Sequence, residues 1–127
     1  MSTGRTTLLV AQLLTALLLL LIGIWLVVLF LQGVNGGLLL VIFAAVEVVL
    51  GLASLAAFAG LRGGGRSSWV PRVAIVAAAF NAAVIAFAAI ATVSVSYPGG
   101  PVVLLILNND VIIGELAVLY LLNRPAT

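Results

Sequence analysis

The placement of charge along this chain constrains its fold more than any motif does. All five arginines (Arg5, Arg62, Arg66, Arg72 and Arg124) lie where apolar segments begin or end, whereas all three carboxylates (Glu47, Asp110 and Glu115) lie inside such segments. With 127 residues, 65% of them hydrophobic and 6% charged, the chain has too little polar surface to cover a water-soluble globule. The expected solvent is lipid. Unpaired backbone groups are costly in hydrocarbon, which leaves helices or a closed barrel, and the apolar runs here are continuous rather than alternating. Helices are therefore expected.

Turn residues divide the chain into four spans, at residues 6–31, 38–61, 70–95 and 102–122. Each is near or above the roughly 20 residues that cross a bilayer. Two separators, Gln32 to Gly37 and Tyr97 to Pro101, are uncharged turns, and Arg62 to Ser68 is a glycine-rich basic loop. Connections this short make consecutive helices antiparallel neighbours. The predicted fold is an all-α membrane protein, a single domain over residues 1–127 forming an up-down antiparallel bundle of four transmembrane helices. Arginine is retained on the cytoplasmic side in short loops, so N-in, C-in topology puts all five arginines inside. Arg5 before an apolar stretch also fits a secretory leader, but the stretch is too long and lacks a small-residue cleavage site, so a retained anchor is expected. Trp69, Tyr97 and Tyr120 fall near span ends, where amphipathic rings favour the headgroup region, while Trp25 falls deeper.

Several function classes drop out on composition. The basic residues are too few and too scattered for a nucleic-acid groove. Cys and His are absent, which removes thiol chemistry and the commonest transition-metal ligands. Gly63-Gly64-Gly65 lacks the Lys-Ser/Thr of a phosphate loop, and three acids at two depths make no convincing metal cage. No enzyme activity and no cofactor are expected. The absence of Lys and the bias to Arg, Ala, Gly and Val resemble a GC-rich bacterial genome, so the expected location is a bacterial plasma (inner) membrane, multi-pass.

Within the spans, polar groups fall on small-residue faces. Ala44, Glu47, Gly51 and Ser54 follow 3, 4, 3 spacing; Ala74, Ala78, Asn81, Ile85, Ala88 and Thr92 alternate 4 and 3; Asp110, Gly114 and Ala117 follow 4, 3. Such faces are expected to meet other helices. The third span also carries Ala74, Ala78, Ala82 and Ala86 at four-residue intervals, from which spans two and three are expected to form the tight centre. At 1.5 Å per residue, Glu47 and Asp110 lie about 12 to 14 Å from the external ends of their spans, and Asn81 reaches a similar level. These three are expected to meet. Glu115, about 140° around the helix from Asp110, has Gln12 and Thr15 available at its depth. A span touching two neighbours would bury both acids.

Charge is costly in hydrocarbon, so neutral acids hydrogen-bonded to Asn, Gln, Ser or backbone groups are expected. Glu47, Asn81, Asp110, Glu115 and Gln12 form a candidate intramembrane polar or proton site; equally, they form interhelical adhesive worth about 1 kcal/mol per contact. Asn108-Asn109-Asp110 raises the alternative of a broken fourth helix lining a polar cavity, but Ile113 stands where a capping box needs Glu or Gln, favouring an unbroken helix. The five arginines read as topology determinants in contact with lipid headgroups. A sensor role toward anionic lipid would use Arg62, Arg66 and Arg72, fewer than the usual basic cluster.

The basic loop with its aromatic (Arg62 to Trp69) between two hairpins, and the ending Tyr120-Leu121-Leu122-Asn123-Arg124-Pro125, resemble a group of small four-transmembrane-helix bacterial membrane proteins. The resemblance covers the whole chain and implies a membrane location, with no particular activity. Small multidrug resistance transporters are similar in length and helix count but carry an essential Glu in the first helix, where this chain has Gln12 and Thr15. Fluoride channels match in size, but the arginine asymmetry departs from their dual topology. Two functions follow as expectations: a non-enzymatic accessory or scaffold subunit binding a protein partner or a second copy, or a small proton-coupled transporter or channel. The lipid bilayer is the common partner, and nucleic acid is not expected.

Overall fold

A computed structural model of the chain describes residues 3–33, 38–63, 69–94 and 100–123, with side-chain surroundings for residues 5–33, 38–63, 69–87 and 106–123. Arg66, Arg124, Tyr97 and the side chains of Ala88 and Thr92 lie outside those described residues. Among the described residues the chain forms four helices: α1 (Thr3–Leu31), α2 (Leu38–Arg62), α3 (Trp69–Ser94) and α4 (Gly100–Asn123). All four are long and apolar enough to cross a membrane. Their ends have local causes. Gly33, at φ 75°, takes the left-handed conformation that ends α1, its N–H donating to Phe30 O at 3.1 Å. Pro71 and Pro101 sit in the first turns of α3 and α4, where a missing N–H costs no helical bond. α4 runs unbroken through Asn108-Asn109-Asp110.

The helices form an up-down ring. α1 packs on α2 and α4, and α3 packs on α4 and more lightly on α2; no diagonal contact occurs among the described residues. One apolar cluster joins Leu26 and Leu29 of α1 with Leu40 and Ala44 of α2, Val84 of α3 and Val111 of α4. A second joins Leu8, Leu61, Val70, Ala74 and Val118, from the opposite halves of the same helices. Neighbours are thus antiparallel, and the start of α1 and the end of α4 lie at the end that also carries Arg5, Arg62 and Arg72. There Arg5 donates a hydrogen bond to the Leu61 carbonyl, tying the start of α1 to the end of α2.

The most extensive packing is between α1 and α2, not between α2 and α3 as the alanine stripe led one to expect. A Cβ on Gly23 would come within 2.7 Å of Val48 Cγ2 and 3.3 Å of Ala44 O, and one on Gly51 within 2.7 Å of Leu20 Cδ2. Each helix offers a glycine to the other, so the backbones approach closely and gain dispersion contact that lipid tails would not replace. The stripe on α3 fails for a geometric reason. Four-residue steps advance 400°, so the stripe drifts about 40° per step: Ala74 is buried, Ala78 half-buried, and Ala82 and Ala86 exposed. The buried face of α3 instead runs through Val70, Ala74, Ala77, Asn81 and Val84. Larger side chains span the looser α2–α3 seam, where the Phe43 ring packs edge-on against Phe80 and Phe87 with centroids 5.7 and 5.4 Å apart.

Candidate functional site

The bundle buries a set of polar side chains within its apolar core and turns a largely apolar face outward. Leu14, Leu21, Ile24, Val49, Leu52, Ile75 and Ile113 are exposed, while Gln12, Thr15, Glu47, Ser54, Asn81, Asn108 and Glu115 are each no more than 1% exposed. Water would favour the reverse arrangement; hydrocarbon favours this one, because polar groups inside can find each other and those outside cannot.

The interior groups fall into two layers. Glu47 and Ser54 lie on one face of α2 seven residues apart, so the layers are about 10 Å apart along the bundle. In the first layer α2 brings Glu47 beside Asn81 of α3. Asn81 Nδ2 donates to its own helix at Ala77 O, 2.8 Å, leaving Asn81 Oδ1 and both Glu47 oxygens without a well-oriented partner among the described residues. Asn108 of α4 is also fully buried, on the half of α4 that holds this layer. The second layer lies between the two apolar clusters. Gln12 Nε2 reaches across from α1 to donate to Ser54 O at 2.9 Å. The single Thr15 hydroxyl proton is shared between the α1 carbonyls of Ala11 and Gln12, with Oγ1 at 2.8 and 3.0 Å, and the side chain lies beside Glu115 of α4. Gly114 makes that approach possible, because a Cβ there would overlap Thr15 Cγ2. Gln12 Oε1 and Ser54 Oγ have no hydrogen-bond partner, and neither Glu115 oxygen has a well-oriented one, among the described residues.

Asp110 does not join either layer. It was expected to meet Glu47 and Asn81, but it is exposed, as is Asn109 beside it. The arc that α4 buries runs through Asn108, Val111, Glu115 and Val118, about 80° wide at 100° per residue. An acid 140° from Glu115 lies outside that arc even though α4 touches two neighbours. Gly114 and Ala117, assigned to the same face as Asp110, are half-buried at the margin of the arc. Asn108 and Ser54 were not among the candidate site residues. The signal for Asn108 was the 3, 4, 3 spacing of 108, 111, 115 and 118, which holds one acid and two valines.

The remaining candidates lie at the ends. Arg62 and Arg72 are exposed at the same end as Arg5, and Trp69 and Tyr120 are exposed, at 38% and 68%. No group of three or more Asp, Glu, His or Cys placed to hold a metal ion occurs among the described residues.

Comparison with protein-family models, curated proteins and solved structures finds no match to this chain.

Proposed function

We propose that this protein is a non-enzymatic subunit of a bacterial plasma membrane, inserted N-in and C-in, that binds a protein partner or a second copy through the outer face of α4. The observation that carries this reading is the position of Asn109 and Asp110. They lie about 15 Å from the start of α4 and about 20 Å from its end, on a face otherwise made of Ile106, Ile113, Leu116 and Tyr120. A central Asp costs about 2.5 to 3.5 kcal/mol on insertion scales, and helix packing inside this chain does not reduce that cost. A neighbouring helix that supplies hydrogen-bonding groups would. The orientation is supported by Arg5, Arg62 and Arg72 sharing one end of the bundle.

The test is purification of the tagged protein from its native membrane in mild detergent, with measurement of particle mass and of any chain present in fixed ratio. Asp110→Leu is expected to reduce the particle to a lone chain. Unchanged mass and composition in that variant would defeat the reading. Orientation is checked separately with single cysteines, which the native sequence lacks. Ser67→Cys is expected to react only from the cytoplasmic side and Ser96→Cys only from the outside.

A second reading, a proton-coupled transporter or channel, is supported by the burial of Glu47 against Asn81 and of Glu115 against Thr15. In proteoliposomes it requires a proton or cation flux that Glu47→Gln or Glu115→Gln abolishes; wild-type vesicles that stay tight across a range of gradients would remove it.

A further inference from the structure

The outer face of α4 carries a regular pattern. Ile106, Asn109, Ile113, Leu116 and Tyr120 are all exposed and follow 3, 4, 3, 4 spacing. At 100° per residue they share an arc of about 80°, centred about 160° from the arc that α4 buries. This is the pattern of a helix–helix seam, in which contact positions recur every 3.5 residues on average. It puts β-branched Ile106 and Ile113 at one kind of seam position and Leu116 at the other, the distribution that favours two parallel strands. Asn109 is the one strongly polar member of the seam, and Asp110 flanks it.

We propose that the occupant of this face is a second copy of the chain, packed α4 against α4 in parallel about a twofold axis, with Asn109 of each copy hydrogen-bonded to Asp110 of the other. The proposal rests on the reading of the α4 face as an interface and commits it to one partner. Self-complementarity carries that choice. In such a seam each side chain inserts into a hole made by four residues of the facing helix, at i, i+3, i+4 and i+7. Ile106, Asn109, Asp110 and Ile113 have that spacing and are all exposed, so they frame one such hole, apolar at its ends and polar at its waist. The side chain that twofold symmetry sets into it is Asn109 of the other copy. Its amide N–H donates to the Asp110 carboxyl, and symmetry makes the same bond in the opposite direction. Both mid-span polar residues then have partners, with no group supplied by another protein. A different partner would need its own donor for Asp110 and its own acceptor for Asn109 at the same depth. Direction agrees as well, because copies inserted the same way hold α4 parallel and set each residue level with its counterpart. Since α4 is a corner of the ring, flanked by α1 and α3, one more helix can reach this face.

The experiment uses single cysteines in the whole chain, which has none of its own, oxidised in native membranes at low expression. Ile106→Cys, Ile113→Cys and Leu116→Cys are expected to cross-link into dimers. Leu14→Cys, Leu52→Cys and Ile75→Cys, on the exposed faces of α1, α2 and α3, are expected to stay single. All six replace exposed side chains, so the bundle interior is left untouched. Energy transfer between labelled copies, followed as they are diluted into lipid vesicles, then measures the strength of the pair. Asn109→Ala removes both reciprocal bonds and is expected to raise the dissociation constant about eightfold, from two interhelical polar contacts at their average worth in a bilayer. Equal cross-linking from all four helices, or an Asn109→Ala pair as tight as wild type, would overturn the proposal. If α4 gives no self-cross-link and a different chain purifies in fixed ratio, the second copy is ruled out while the α4 interface stands. No self-cross-link and a lone chain would remove both.

Discussion

The inner and outer faces of α4 each carry one acid, five residues apart, in opposite surroundings. Glu115 is fully buried beside Thr15, and Gly114 lets α1 come close enough to cover it. Asp110 stands exposed between Ile106 and Ile113 on the outside. The contrast shows that angular position on the helix, not residue type, decides which solvent an acid meets. An acid inside the arc draws on partners from its own chain. An acid outside it must draw on lipid headgroups, water or another molecule. The same helix therefore holds a group that serves the bundle and a group that the bundle does not use.

Changes that force the inner face apart should have the largest effect. Gly114→Leu puts a branched side chain where even a Cβ overlaps Thr15 Cγ2. The expected loss is about 3 kcal/mol, the upper end for overpacking a tight contact, measured by reversible unfolding in mixed micelles. A loss below about 1 kcal/mol would mean that α1 and α4 do not pack at this register. Next in size is Glu115→Leu, which removes the only ionisable member of the layer and sets an alkyl chain against the Thr15 side chain. A loss of about 1 to 2 kcal/mol is expected, the usual cost of stranding buried polar atoms, with Glu115→Gln closer to wild type because it keeps the shape and can still hydrogen-bond. If Leu proves as stable as Gln, the inner acid contributes nothing to packing.

Across the other seam, Asn81→Leu tests the first layer in the same way. Interhelical polar contacts in bilayers average about 0.6 kcal/mol and rarely exceed about 1.7, and Asn81 spends one donor on its own helix at Ala77 O. A loss near 0.6 kcal/mol is therefore expected, smaller than at Glu115.

How far the sequence revealed this arrangement depended on how many residues on a helix agreed. Four spans were legible because continuous apolar runs broken by glycine and proline leave little choice in lipid, and the unbroken α4 followed from Ile113 where a cap was needed. The face of α2 was legible because Ala44, Glu47, Gly51 and Ser54 point one way with no competing polar set, and all four are buried. On α4 two faces competed. Asp110, Gly114 and Ala117 share helical spacing, and so do Asn108, Val111, Glu115 and Val118; each set contains one acid, and periodicity alone does not rank them. What ranks them is a contact on another helix, Thr15 against Gly114, that no local pattern contains. The tight seam was hidden for a similar reason. Gly23 is a lone glycine in a leucine-rich span, and its importance shows only when Val48 is placed opposite it. A stripe of four alanines was more conspicuous and less informative.

The smallest effect on the isolated chain is the one that most sharply separates the two faces. Asp110→Leu changes an exposed side chain that no helix of the bundle packs against, so the unfolding free energy of the monomer in micelles should move by no more than about 0.5 kcal/mol. In a bilayer the same change should favour the lone chain, because an alkyl group replaces a group that costs about 2.5 to 3.5 kcal/mol at mid-span. The expected signature is thus a monomer left intact or improved while association through α4 is lost. Asp110→Asn keeps the hydrogen-bonding capacity and should retain part of that association. A large loss of monomer stability from Asp110→Leu would instead place Asp110 inside the bundle, and the distinction between the two faces of α4 would collapse.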